Sequence, residues 1–337
     1  MGWWQVSADT LAGGRFVVSP LAETTASLFA LLAPAARHPG ERAWLDAHLP
    51  AFRAKLATDP VTARLVRAVR SARWTADFLV PTPTGDGEPA FREELAEIRA
   101  TPAATVHADL VETIGGPLPA ALRRDDLQDR TADLLDWLWN RAVLPEWPRR
   151  RRVIEADIIA RTGQLSRGGW AAVLDDMRPG MRWLGESRMQ INVHDYPPRD
   201  ISGARLLFLP VTPRQGWVSW DDRGHYAVVY SCTGAFAEAG RAAVPEALGR
   251  LLGPARAGVL VLLDTPKSTS HLVALTGQGL GSVGRHLKIL LDAGLVGRRR
   301  SGRSVLYYRT AAGDVLTAAP AGVGRAAEAA EGDTSRP

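Results

Sequence analysis

The sequence predicts an α+β fold, mostly helical, with a helical N-terminal domain carrying a small antiparallel sheet and a compact basic module near the C-terminus. Three observations carry that expectation. Apolar residues recur at helical spacing between Pro20 and Met177, interrupted by Pro- and Gly-rich breaks such as Pro81 to Pro89. Short runs rich in Val, Ile, Leu, Phe and Tyr then alternate with Pro-Pro, Asp-Asp and Gly turns up to Ser231. From Ser268 to Tyr308 the order is helix, Gly turn, second helix and basic hairpin. At 337 residues the chain exceeds the usual size of one domain, and a boundary is expected near Gly240. This gives domains over 1–240 and 241–312, followed by a mostly flexible tail over 313–337 in which bulky apolar residues are few.

Taken in order, Trp3 to Ser19 reads as one or two short strands around Gly13 and Gly14. Pro20 to Ala33 reads as a helix with Leu21, Leu28, Leu31 and Leu32 apolar. Further helices are expected over 42–57, 60–72, 91–99, 118–124, 127–143, 149–162 and 168–177. Strands are expected over 190–194, 204–210, 217–220 and 226–231, then helices over 245–252 and 256–264 leading into the basic module. All 11 Trp residues precede Asp221, and core packing is the favoured account of them. Arg149 to Arg152 opens a helix and reads as a solvated face.

In the module, Ser268, Thr269 and Ser270 are N-cap candidates for a short helix to Thr276, Ser268 and Thr269 are also candidate DNA contacts, and Gly277 closes the helix. A second helix runs from about Leu280 to Ala293, with Val283, Leu287 and Leu290 on one stripe and Gly281, Ser282, Arg285, His286 and Lys288 toward the other side. Gly294 ends it. Two strand-like arms, 295–300 and 305–309, then surround Ser301-Gly302 and place Arg298, Arg299, Arg300 and Arg303 near the tip. This order is that of a winged helix-turn-helix, in which the second helix enters a major groove. Arg285 is the strongest candidate for reading guanine edges, and the hairpin arginines for phosphate contact.

Charge distribution agrees with that assignment. The chain carries a net +5, yet Pro254 to Arg309 alone contains nine basic residues against Asp264 and Asp292, so the rest of the chain is slightly acidic. Basic residues concentrated on one module are the electrostatic mark of a phosphate-binding surface. The single Cys232 excludes an internal disulfide and a thiolate zinc site from one chain, and fits a reducing cytoplasm. Met1 to Leu11 lacks the features of a secretory leader, and no apolar stretch is long enough to predict a membrane span. The seven His residues form no HExxH or comparable spacing, and no GxSxG surrounds any Ser.

Gly253 to Arg309, with "GPARAGVLVLLDTPKSTSHLVAL", "SVGRHLKILLDAGLV" and "RRRSGRSVLYY", resembles the winged head of ArsR-type bacterial transcriptional regulators. The likeness covers about one sixth of the chain and is most specific over Arg285 to Lys288 and Leu290 to Val296. "RFVVSPLAETTASL" and "ARLLFLPV" resemble a domain of unassigned function that precedes such heads in actinobacterial regulators, a likeness that brings no activity with it. The resemblance implies sequence-specific binding to double-stranded operator DNA, repression as the default mode and a homodimer, and the expectation for the N-terminal domain is dimerisation, sensing of a small-molecule effector, or both. Two features depart from the pattern: Gly279 stands where a Ser usually caps the recognition helix, and Gly284 replaces a small polar residue. Metal-sensing members use Cys or His pairs, whereas this head has no Cys and only His271 and His286.

Two other readings compete. Gly279, Gly281 and Gly284 satisfy GxGxxG within a Gly-rich 277–284 loop, which would suit an NADP-dependent oxidoreductase if 271–275 were a strand. Only about 37 residues follow Arg300, too few for the rest of such a fold. The other is a protein-interaction adaptor whose winged fold has lost DNA binding. The favoured reading is a regulator without enzyme activity or cofactor.

Overall fold

A computed structural model describes residues 2–35, 39–71, 74–175, 177–194, 196–232, 244–263, 266–276, 278–301 and 304–318. The fold is α+β and mostly helical, with small sheets, and the chain divides into two compact units, 1–240 and 241–337. Gly240 itself and most of the expected tail, 319–337, fall outside the described residues.

In the first unit, β1 (Trp3–Gln5), α1 (Ala8–Ala12) and β2 (Arg15–Phe16) precede α2 (Pro20–Leu32). The helical layer continues with α3 (Pro39–Ala57), α4 (Pro60–Ala68), α5 (Phe91–Ala100), α6 (Ala103–Ile114) and α7 (Leu127–Leu138), then a π turn over 139–143. Next comes the long α8 (Trp147–Leu174), broken at Gly169, which sits at φ 67°. Six strands complete the unit: β3 (Arg182–Gly185), β4 (Arg188–Gln190), β5 (Arg199–Asp200), β6 (Arg205–Val211), β7 (Trp217–Trp220) and β8 (His225–Ser231). Where 118–124 was expected to be helical there is only a single 3-10 turn, Ala120–Leu122, and α6 was not anticipated. Only Val106, Leu110 and Thr113 of α6 are buried, a stripe too thin to stand out in the sequence.

The expected small antiparallel sheet is corrected to two mixed sheets. One has the order β3-β4-β1-β5 and the other β2-β6-β8-β7. β6 is parallel to both β2 and β8, in the register Leu207↔Ala227 and Leu209↔Val229, while β7 and β8 form an antiparallel pair. β6 is buried from Leu206 to Val211 without alternation, as a parallel strand covered on both faces must be. Leu207, Leu209 and Val211 join the helical core with Phe29, Leu135 and Leu138. Leu206, Phe208, Val228 and Tyr230 face a second core containing Trp4, Leu174, Met177 and Met189.

The second unit contains α9 (Glu246–Leu252), α10 (Pro254–Leu262), β9 (Lys267–Ser268), α11 (Thr269–Thr276), α12 (Leu280–Asp292), β10 (Val296–Ser301), β11 (Ser304–Arg309) and α13 (Ala311–Ala318). Its antiparallel sheet runs β10-β11-β9. Val259, Leu260 and Leu263 pack with Leu272, Val283, Leu287, Leu290 and Val296 to form its core. Strand β9 was not expected, and it places Ser268 in a sheet where the sequence predicts a helix cap. No helix among the described residues is long and apolar enough to cross a membrane.

Candidate nucleic-acid interface

Helix α12 is built by its apolar stripe. Val283, Leu287 and Leu290, at i, i+4 and i+7, are buried and fix which side faces out. Gly281, Arg285 and Lys288 lie on the exposed side. At the C-terminal end the N–H of Gly294 bonds the Leu291 carbonyl at 2.9 Å and that of Leu295 bonds the Leu290 carbonyl at 3.0 Å. Those two bonds need a left-handed residue, and Gly294 supplies it at φ 69°. At the N-terminal end no side chain caps the helix, because the cap position is Gly279.

The hairpin follows at once. Arg298 faces Tyr307 across the ladder, Arg299 faces Leu306 and Arg300 faces Val305, so no acidic residue opposes any of the three. All three arginines are exposed. Arg303 lies outside the described residues.

The nine basic residues of this stretch have different fates. Lys267 is only 1% exposed in β9 and adds nothing to a basic surface. Arg309 pairs with Asp314 at 2.8 Å, and the Nε of Arg256 donates to the Leu252 carbonyl at 2.6 Å. Arg285, Lys288, Arg298, Arg299 and Arg300 remain exposed, and among the described residues none pairs with a carboxylate. Arg285 makes one weak contact within its own helix, Nε to the Gly281 carbonyl at 3.4 Å.

The other predicted contact residues divide. Thr269 starts α11 and is half-buried, as is Ser268. Ser282 and His286 engage each other: the Ser282 hydroxyl donates to Gln278 Oε1 at 3.2 Å, and its oxygen lies 3.3 Å from His286 Nε2. Burial, followed by the positive charges of Arg256 and Arg285, holds the His286 pKa below its ordinary value. The imidazole is therefore neutral at pH 7, and with Nε2 donating to Ser282 its buried Nδ1 is left as an acceptor without a partner.

The nucleotide-loop alternative meets a local obstacle. Residues 269–276 form a helix where that loop needs a strand, and Gly281 and Gly284 lie inside α12. A Cβ added at Gly279, Gly281 or Gly284 would touch nothing within 4 Å, so the protein's own packing does not require glycine at these three positions.

No protein-family model, curated protein or solved structure matches this chain. The case for its function therefore rests on its own residues.

Those of the first unit include polar groups that sequence reasoning missed. Arg150, expected on a solvated face, is 3% exposed, and its Nη1 lies 2.7 Å from Glu23 Oε1, itself fully buried. Glu23 also accepts the Thr212 N–H at 2.7 Å and the Thr212 hydroxyl, while Arg150 Nη2 reaches Glu146 at 3.0 Å. The available signal was Glu23, the one charge in an otherwise uncharged run from Phe16 to Ala36. Among the described residues no group of three or more His, Cys, Asp or Glu side chains is arranged to hold a metal.

Proposed function

We propose that the 241–337 unit is a winged helix-turn-helix head that binds duplex DNA, and that the chain is a sequence-specific transcriptional regulator. The supporting observation is the set of five exposed, carboxylate-free cations on α12 and the adjoining β10. Side chains that neutralise phosphates gain affinity by releasing counterions, and an internal ion pair would oppose that. In this reading α11 is the first helix, α12 the recognition helix and β10–β11 the wing. A helix about 10–12 Å across fits a major groove about 12 Å wide. Arg285 then reads a base edge, Lys288 contacts bases or phosphates, and Arg298 to Arg300 hold the flanking backbone.

A homodimer would place two such helices about one helical turn apart on a near-palindromic operator. Leu251 of α9 and Val315 of α13 are exposed apolar side chains suited to that contact. In this reading the 1–240 unit supports dimerisation, effector sensing or both, the protein acts in the cytoplasm, repression is the default, and the chain has no catalytic role or cofactor.

A mobility-shift assay on DNA upstream of the protein's own gene, titrated with salt, tests the proposal. Binding should weaken steeply with salt, and Arg285→Ala combined with Arg300→Ala should abolish the shift at concentrations that saturate the wild type. Undiminished binding by that double variant would overturn the proposal. Capture of a protein partner with the basic residues dispensable would favour the adaptor.

A further inference from the structure

We propose that Gln278 reads an adenine in the major groove, its amide set in place by a hydrogen-bonded ladder through Ser282 and His286. The inference rests on the DNA-binding reading above and adds to it a base that the chain selects.

Gln278, Ser282 and His286 stand at i, i+4 and i+8, so the turn entering α12 and the first two turns of that helix bring them into one row. The Ser282 hydroxyl donates its only hydrogen to Gln278 Oε1 at 3.2 Å. His286 Nε2, 3.3 Å from the same hydroxyl oxygen, must then be the donor of that second pair. The direction of the ladder is thereby fixed: imidazole N–H to hydroxyl, hydroxyl to amide oxygen. The backbone N–H of Gln278 bonds the Thr276 hydroxyl at 3.3 Å, which ties the residue to the end of α11 as well.

What the ladder leaves unused decides the ligand. Neither Nε2 hydrogen of Gln278 has a partner among the described residues, and Oε1 keeps a second lone pair. Gln278 sits at the N-terminal end of α12, the end of a recognition helix that meets base edges. Gly279 and Gly281, close by in the chain, are exposed and present bare backbone with open space around it. A duplex edge can come close there.

One free donor beside one free acceptor matches adenine, whose major-groove edge offers N7 as acceptor and the N6 amino group as donor. Guanine offers two acceptors, N7 and O6, and would set one of them against Oε1. Thymine and cytosine each offer one polar group and can take one bond only. A Gln side chain loses much rotamer freedom when a ligand orders it, and the ladder restricts this one before DNA arrives. Ser282 and His286 are positioning residues in this scheme, acting on the base through the amide.

The test enriches duplexes with the full chain from a pool randomised over about 20 base pairs, enough for two half-sites one helical turn apart. Wild-type sites should share an A·T pair that Gln278→Ala no longer selects. Discrimination at that pair should fall about 5- to 150-fold, while every other position and the salt slope keep their wild-type values. His286→Leu, which removes the donor at the foot of the ladder, should relax the same pair. His286→Gln restores an N–H and should recover it, with binding to random DNA unchanged in both. On the best wild-type site, 7-deazaadenine removes the N7 acceptor and unsubstituted purine removes the N6 donor. Either base at the selected position should weaken the wild type and leave Gln278→Ala unaffected. The proposal is overturned if Gln278→Ala selects the same sites with equal discrimination or, should that variant not fold, if no adenine of the wild-type site responds to loss of N7. Enrichment of no sequence by the wild type would instead overturn the DNA-binding reading, and this inference with it.

Discussion

The paired arginines of the first unit differ from the exposed ones on α12 and β10 of the second. In the 1–240 unit several arginines pair with carboxylates: Arg99 with Asp129 and Asp133, Arg130 with Asp59 and Asp126, Arg150 with Glu23, and Arg151 with Glu88 and Glu155. In the second unit Arg285, Arg298, Arg299 and Arg300 are exposed, and among the described residues none has a carboxylate partner. Internal pairs cancel the field that a polyanion would feel, whereas unpaired surface cations preserve it. Under the proposed function, the exposed cations of the second unit are the ones that would meet DNA, while the paired arginines of the first unit hold its structure together.

The largest effect should come from breaking a pair. Arg150→Met leaves Glu23 buried without its cation and should destabilise the first unit by about 3–5 kcal/mol, read from urea unfolding by Trp fluorescence. The salt slope of DNA binding should not change.

Glu94 sharpens the contrast because it is a buried carboxyl that arginine does not reach. It accepts the Ser19 hydroxyl at 2.5 Å and the Leu21 N–H at 2.8 Å at the start of α2, and burial raises its pKa from 4.5 to about 7. The folded state therefore holds this proton after the unfolded chain has released it. Its contribution to stability is full below pH 4.5 and is lost as pH rises to about 7, a change of about 3 kcal/mol. Glu94→Gln should flatten that part of the pH–stability curve.

Next in size are the free cations. Arg285→Ala should cost about 1–3 kcal/mol at the specific operator and far less on random DNA. Arg299→Ala should weaken both alike and lower the salt slope by about 1. Both should leave unfolding within about 0.5 kcal/mol of wild type, since neither side chain supports the fold. Substantial destabilisation by either would blur the distinction between the units.

The smallest effect tests the glycines. Gly284→Ala should stabilise the second unit by about 1 kcal/mol, because Gly weakens a helix interior and a Cβ there meets open space. If it also weakens DNA binding, close approach of the phosphate backbone is the reason for that glycine.

Much of the second unit was legible because its contacts are local. The stripe Val283, Leu287, Leu290, the stop at Gly294 and the hairpin around Ser301-Gly302 each lie within a few residues of what they specify. Strand β9 was not, since Ser268 pairs with Leu306, 38 positions away along the chain. In the first unit β6 carried a readable sign in "LLFLPV", whose lack of alternation marks a strand buried on both faces. Its neighbours were unreadable because β2 reaches it from nearly two hundred residues upstream.

The sequence by itself determined the helical periodicity, the order of two helices and a hairpin near the C-terminus, and the concentration of positive charge there. These follow from steric preference, apolar spacing and composition, none of which needs a distant partner. Only the tertiary structure decided which charges are cancelled. It buried Arg150 against Glu23, withdrew Lys267 from the surface, tied Arg309 to Asp314, and left Arg285 and Arg298 to Arg300 exposed, without a carboxylate partner among the described residues. The reason is physical: a charge depends on its neighbours in space, and folding brings those neighbours from residues far apart in the chain.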